Sequence, residues 1–178
     1  LITYAKALEQ KSEHPLAKAV LAYAADKQAA ELEVSEFEAL PGNGLTGKVP
    51  EGTLYGGNER FISKKVSLTA EEKKLAEKLA SQGKTPLFFA LNKKFLGVIA
   101  VADVIKEDSP QAIKELQNMG IRVVMLTGDN EITAKAIGEK AGVDEVIAGV
   151  LPEGKEAAVR RFKEEGKVIM VGDGINDA

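Results

Sequence analysis

Residues 168–178 read VIMVGDGINDA. The apolar run from Val168 to Val171 leads into Gly172-Asp173-Gly174, which predicts a short buried strand ending in a glycine-hinged turn that carries Asp173, Asn176 and Asp177. In an open α/β sheet the ligand sits beyond the carboxyl ends of the strands, and two carboxylates with an amide there suit Mg2+ and phosphate oxygens. The pattern occurs a second time upstream. Residues 122–130 read RVVMLTGDN, an apolar strand opening into Thr127-Gly128-Asp129, again with a helical stretch behind it.

Either turn alone is ordinary loop chemistry, because Gly and Asp are common where strands end. The two together, in this order, carry more weight. Between them lies Leu151-Pro152-Glu153-Gly154-Lys155, where Pro152 suits the first turn of a helix and Lys155 sits one turn in. A lysine there adds a point charge to a helix end that already favours anions.

The order TGD, Pro-x-x-Lys, VGDGINDA resembles the phosphorylation domain of P-type cation-transporting ATPases, which has a haloacid dehalogenase-like fold. Ser12-Glu13-His14-Pro15 is similar to the heavy-metal-transporting branch of that family, and the likeness extends over nearly the whole chain. It implies two domains. Residues 1–102 would form an α+β nucleotide-binding domain with an antiparallel sheet. Residues 103–178 would form part of a parallel α/β phosphorylation domain that lacks its first strand, since no Asp-Lys-Thr-Gly-Thr occurs and the chain starts after that loop.

Composition agrees with a folded chain. Of 178 residues 44% are hydrophobic, enough for packed cores. Lys and Arg number 24 against 27 Asp and Glu, a net charge of -3 that gives no reason to expect a nucleic acid partner. No apolar run approaches the roughly 18–20 residues that span a bilayer. Without cysteine and with a single histidine, neither disulfides nor a soft-metal site is expected. The absence of an initiator methionine at Leu1 and the stop inside a motif at Ala178 suggest an excerpt from a longer polypeptide.

Taken in order, residues 2–10 and 15–27 carry helical periodicity, with Ser12 as the expected cap of the second helix. On its own, His14 reads as a helix-start residue; the resemblance implies instead that its ring lies against the adenine of ATP, helped by Glu9. Residues 31–53 alternate like antiparallel strands. Gly42-Asn43-Gly44-Leu45-Thr46-Gly47 fits a dinucleotide fingerprint only formally, because strand and turn residues follow where that fold needs a helix. Gly42 and Gly44 either serve an ordinary loop or let backbone approach a flat ligand, and the resemblance implies the second. Gly57 and Asn58 match a Gly-Asn pair of the family. Asn58 suits either a bond to nucleotide or the cap of a short helix at 59–63. A capped surface helix is expected over 69–80 with Leu75, Ala76 and Leu79 as its apolar stripe, then a hairpin of strands 87–91 and 95–102. Beyond Asp103 the pattern alternates: helix 109–119, strand 121–126, helix 131–141, strand 145–148, helix 152–165, strand 168–171.

For the complete enzyme the resemblance implies ATP and Mg2+ as cofactors and in-line transfer of a phosphoryl group to an upstream aspartate. It implies that Asp173 holds Mg2+, that Lys155 offsets phosphoryl charge, and that Thr127 and Asn176 bond its oxygens. Asp129 and Asp177 would orient metal waters and the lysine. The expected partners are ATP, the actuator and membrane domains, and the upstream phosphorylation loop. The expected location is the cytoplasmic side of an integral membrane protein that exports copper, the excerpt itself being inactive. A soluble phosphatase of the same superfamily and a noncatalytic nucleotide-binding module are the other readings.

Overall fold

The computed structural model describes residues 1–102 and 105–172, and of Pro152 and Glu153 only the backbone. The chain divides into two compact units, Leu1–Asp103 and Val104–Ala178.

The first unit runs α1 (Ile2–Glu9), α2 (Pro15–Asp26), β1 (Ser35–Leu40), β2 (Gly44–Val49), β3 (Gly52–Gly57), α3 (Glu59–Ile62), α4 (Ala70–Ala80), β4 (Lys84–Leu91) and β5 (Lys94–Ala102). The strands form one five-stranded antiparallel sheet in sequential order. Alternation along the strands gives it two apolar faces. Leu54 and Phe89 point to a core built with Ala5, Leu8 and Val20 of the first two helices. Their neighbours Tyr55, Phe88 and Ala90 point to a second core with Phe61, Ile62 and Ala76. Gly97, at φ +138°, takes up the register shift opposite Phe89 and Ala90. This bulge lets Phe95 and Val98 share one face although an even-odd count would part them.

Local signals placed most ends correctly. Thr69 and Glu72 form a complete capping box on α4. Asn92, at φ 53°, accepts from the Thr53 N–H at 2.8 Å and donates to the Glu51 carbonyl at 2.9 Å, tying the β4–β5 turn to the β2–β3 turn. Two expectations fail. Leu75 is 55% exposed while Ala76 and Ala80 are buried, so the α4 stripe lies one position round from the predicted one. Ser12 is not the cap of α2; His14 is, through its ring.

The second unit contains α5 (Ser109–Asn118), β6 (Val124–Leu126), α6 (Glu131–Ala141), β7 (Glu145–Ile147) and α7 (Pro152–Glu165), with β6 and β7 parallel. Helix α6 is capped by Asn130, whose Oδ1 accepts from the Thr133 N–H at 3.0 Å, and ends at left-handed Gly142. Its small face, Thr133, Ala134, Gly138 and Ala141, is buried. A Cβ on Gly138 would come within 2.3 Å of Val146 Cγ2, so glycine is what permits the approach of helix and strand. Arg122 bonds Glu165 and Glu145, and with Arg161 it flanks the Phe162 ring, joining α7 to the sheet.

Strand β6 is shorter than predicted, because the Ile121 N–H bonds back to Leu116 O and the Val123 N–H goes to the Asp144 carboxylate. Residues 168–171 form no strand. Ile169 and Val171 are exposed at 87% and 90%. An apolar run becomes a strand only where a neighbour supplies ladder partners, and among the described residues the second sheet consists of β6 and β7 alone.

Gly56 offers a direct test of the first core. A Cβ there would stand 2.9 Å from the Phe89 ring and 3.1 Å from Leu8 Cδ1. Gly56→Val is expected to destabilise the chain by roughly 1–3 kcal/mol, the usual cost of overpacking. Urea unfolding measures this, and an unchanged midpoint would contradict the packing described.

Candidate functional site

The connection between α1 and α2 is the most chemically specific turn of the first unit. Glu9 closes α1 and is 6% exposed, so a carboxyl group is carried into the protein. Burial pushes its pKa up to about 7, against the smaller, opposing effect of a hydrogen bond from the Ser12 hydroxyl. The Ser12 Oγ also accepts from the His14 N–H at 3.2 Å. His14 then caps α2, its Nδ1 accepting from the Leu16 N–H at 3.2 Å. An acceptor at Nδ1 leaves the proton of the neutral ring on Nε2. The imidazole is therefore both a helix-start residue and an exposed ring of fixed orientation.

Gly42, Gly44, Gly57 and Asn58 come together where β1, β2 and β3 meet. Gly42 occupies the turn at φ +71°. Gly44 pairs with Gly57, and a Cβ on Gly44 would stand 2.2 Å from the Gly56 carbonyl oxygen. Glycine at 44 and 57 is thus required by the close approach of two backbones, a sufficient reason for it before any ligand is considered. Asn58 Oδ1 accepts from the Phe61 N–H at 2.8 Å and caps α3, while its Nδ2 donates to the Gly42 carbonyl at 3.0 Å. Capping is the role the structure gives Asn58 directly, with an added tie to the turn that the sequence did not signal. Leu8 connects the two groups of residues. Its side chain rests on Gly56, next in sequence to Gly57, and Glu9 follows Leu8.

In the second unit Thr127 and Asp129 are brought together. The Thr127 hydroxyl donates to Asp129 Oδ2 at 2.8 Å and accepts from the Asp129 N–H at 3.1 Å. The Gly149 N–H bonds the Asp129 carbonyl at 2.8 Å and the Val150 N–H bonds Thr127 O at 3.0 Å. The segment leading into α7 is therefore stitched to the Thr-Gly-Asp loop, and Lys155 lies in the first turn of that helix. Asp173, Asn176 and Asp177 lie outside the described residues. Among the described residues no group of three or more carboxylate, imidazole or thiol side chains could hold a metal ion, so no step through Mg2+ is derived from this structure.

The family of haloacid dehalogenase-like hydrolases matches residues 2–178, and the chain belongs to that family. It is 43% identical over 96% of its length to copper-transporting ATPase 2 of Rhizobium meliloti, and 41% identical over 96% to a copper-exporting P-type ATPase of Staphylococcus saprophyticus. It spans 21% and 22% of those relatives' lengths. Among solved structures, a zinc-transporting PIB-type ATPase in an E2.Pi state is 35% identical with a TM-score of 0.58, covering 99% of this chain and 28% of that one. The catalytic domain of a CPx-ATPase shares the fold at a TM-score of 0.69 and 24% identity, covering 99% of this chain and 62% of that one. The resemblance read from TGD, Pro-x-x-Lys and the Ser-Glu-His-Pro turn therefore holds across the chain. Among the described residues no helix is long and apolar enough to cross a membrane.

Glu9 makes stability depend on pH. Its folded-state pKa of about 7 lies above the ordinary 4.5, so the folded chain holds a proton that the unfolded chain has released. Stability should then fall as pH rises across that window, by on the order of 2–3 kcal/mol, and level off above it. Glu9→Gln is expected to flatten this slope and to be the more stable chain at about pH 8. Urea unfolding across pH checks it; parallel profiles for the two chains would contradict the burial of this carboxyl.

Proposed function

We propose that this chain is the nucleotide-binding region and part of the phosphorylation domain of an ATP-driven heavy-metal transporter, with copper as the transported substrate. The observation that supports it most is the α1–α2 turn, which holds a buried carboxyl and an oriented imidazole, with the preceding Leu8 packed on Gly56 of β3. Residues 1–102 are the nucleotide-binding domain. His14 offers a ring face to adenine, Glu9 a carboxylate to its exocyclic amine, and Gly42, Gly44, Gly57 and Asn58 a low rim along which sugar and phosphates lie.

Residues 103–178 contribute to phosphoryl transfer. Thr127 and Asn176 donate to the moving phosphoryl group, Lys155 offsets its charge from the start of α7, and Asp129 fixes the Thr127 hydroxyl. Charge neutralisation and positioning are what such a transfer needs from the protein. Asp173 and Asp177 are the proposed holders of Mg2+, which would supply positive charge against that of the phosphate. The phosphorylated aspartate belongs to an Asp-Lys-Thr-Gly-Thr loop absent from this sequence. The chain as it stands is proposed to bind ATP without turning it over. In the complete protein it faces the cytoplasm and works with actuator and membrane domains; nucleic acid is not a partner.

Titration with ATP should give a dissociation constant on the order of 0.1–1 mM, as expected of one stacked base with few hydrogen bonds. Amide shifts should centre on Glu9, His14, Gly42 to Gly47 and Asn58, with His14→Ala weakening binding about tenfold. Shifts confined to residues 120–172, or ATP hydrolysis by this chain, would contradict the assignment.

A further inference from the structure

Val150 stands between the Thr127-Gly128-Asp129 loop and helix α7, and it touches both. Its N–H donates to the Thr127 carbonyl at 3.0 Å, and the Gly149 N–H before it donates to the Asp129 carbonyl at 2.8 Å. The Thr127 N–H returns a bond to the Ile147 carbonyl at 3.0 Å. Successive N–H groups reach the same loop because Gly149 lies at φ +66°, a left-handed conformation that residues with a Cβ adopt at a cost. The Val150 carbonyl oxygen lies against Gly128, 3.4 Å from where a Cβ would stand. On the helix side, a Cβ on Gly154 would come within 3.2 Å of Val150 Cγ1, so the valine side chain is seated on Gly154. Gly154 belongs to the first turn of α7, and Lys155 follows it. The N-cap Leu151 makes no side-chain bond to this helix, so its start is located by packing and by the Gly154 N–H bond to the Leu151 carbonyl at 2.8 Å. One residue thus has its main chain tied to the loop and its side chain on the helix.

We infer that Val150 is a positioning residue for phosphoryl transfer, setting how far the first turn of α7, with Lys155, stands from the Thr127 hydroxyl; this rests on the roles proposed above for Thr127 and Lys155. Val150 itself carries no group that could touch a phosphate. It acts by holding two elements that do, one through backbone bonds that any side chain would allow and one through a contact that only its own methyl makes. Groups that neutralise charge in a transition state must already be in place when that charge develops. A displacement of about 1 Å in such a group costs up to about a hundredfold in rate. Binding of ATP, proposed to lie in the first unit, need not change with it. Loss of the Val150 methyls should therefore slow the transfer and leave the affinity for ATP as it was.

Single-turnover phosphoryl transfer from ATP in the complete protein supplies the rate, and amide exchange in the 178-residue chain supplies the geometry. Val150→Ala leaves the backbone donors in place and removes the methyl seated on Gly154. It is expected to slow transfer at saturating ATP about tenfold while the half-saturating ATP concentration stays within about twofold. In the 178-residue chain it should lower the exchange protection of the Gly149 and Val150 amides about fivefold, with the amides of β3 and β4 unchanged. Val150→Thr, which keeps the branched shape and a methyl, should stay within about twofold of the parent in rate. Gly154→Ala crowds the same contact from the helix side and should also slow transfer. The double variant Val150→Ala, Gly154→Ala exchanges one methyl for another across that contact and should recover most of the rate. If Val150→Ala does not fold by its amide spectrum, Gly154→Ala carries the same comparison. Parent-like transfer or protection in Val150→Ala, equal changes in rate and half-saturation, no rescue by Thr, or losses that simply add in the double variant overturn the inference. Lys155→Ala keeps its failure separate from that of the underlying reading. If Lys155→Ala abolishes transfer and the Val150 and Gly154 variants are parent-like, Val150 has no positioning role. If Lys155→Ala transfers like the parent, the proposed role of Lys155 falls, and the inference with it.

Discussion

The seating of Leu8 on a glycine-flattened patch of the sheet governs most of the first unit. A Cβ on Gly47 would stand 3.4 Å from Leu8 Cδ2 and one on Gly56 3.1 Å from Leu8 Cδ1, so a larger residue at either place would lift the helix. Leu8 is fully buried there, with Leu54 and Phe89 in the same core. This contact fixes the depth and angle at which α1 ends. The end of α1 carries Glu9 into the protein and sends the chain through Ser12 to His14. Close packing makes such a position hard to vary by fractions of an ångström, and recognition of a flat ligand requires that constancy.

The buried carboxyl is the costly part of this arrangement. Protein interiors disfavour a charge without full solvation, and burial raises the Glu9 pKa accordingly. A packed apolar residue there would favour folding. On the proposed reading the carboxyl would provide an acceptor already stripped of water, which makes a bond to a ligand amine stronger than the same bond at the surface. On the proposed nucleotide reading, stability lost at Glu9 and specificity for a base would be two results of one placement.

Much of this was legible in the residues. Thr69 with Glu72, the hairpin turn at Asn92-Lys93-Lys94 and the helix over 131–141 each follow from local rules, and local rules set the ends of elements. The two-part order of an antiparallel sheet followed by β-α alternation was legible for the same reason. Leu75 misled because periodicity alone does not say which of two adjacent helix faces meets the sheet. Residues 168–171 misled because a strand depends on partners that a sequence window does not contain. At the site, motif order pointed to Glu9, His14 and the glycines, but the roles were less plain. Gly44 and Gly57 fit a ligand rim and equally fit the meeting of two backbones, and only distances separate these reasons. Ser12 was legible as a polar residue near a helix start. Its backbone bond to the Glu9 carbonyl and its acceptance of the His14 N–H depend on how α1 ends.

The proposed nucleotide site in the first unit is tested most directly by a crystal structure of the chain soaked with ATP. The adenine ring is expected to stack on the His14 imidazole with its exocyclic amine on the Glu9 carboxylate, the Leu16 N–H still bound to His14 Nδ1, and the phosphates running along Gly42 to Gly44. A base bound away from the α1–α2 turn, or a His14 ring that leaves its cap to reach the nucleotide, would contradict it.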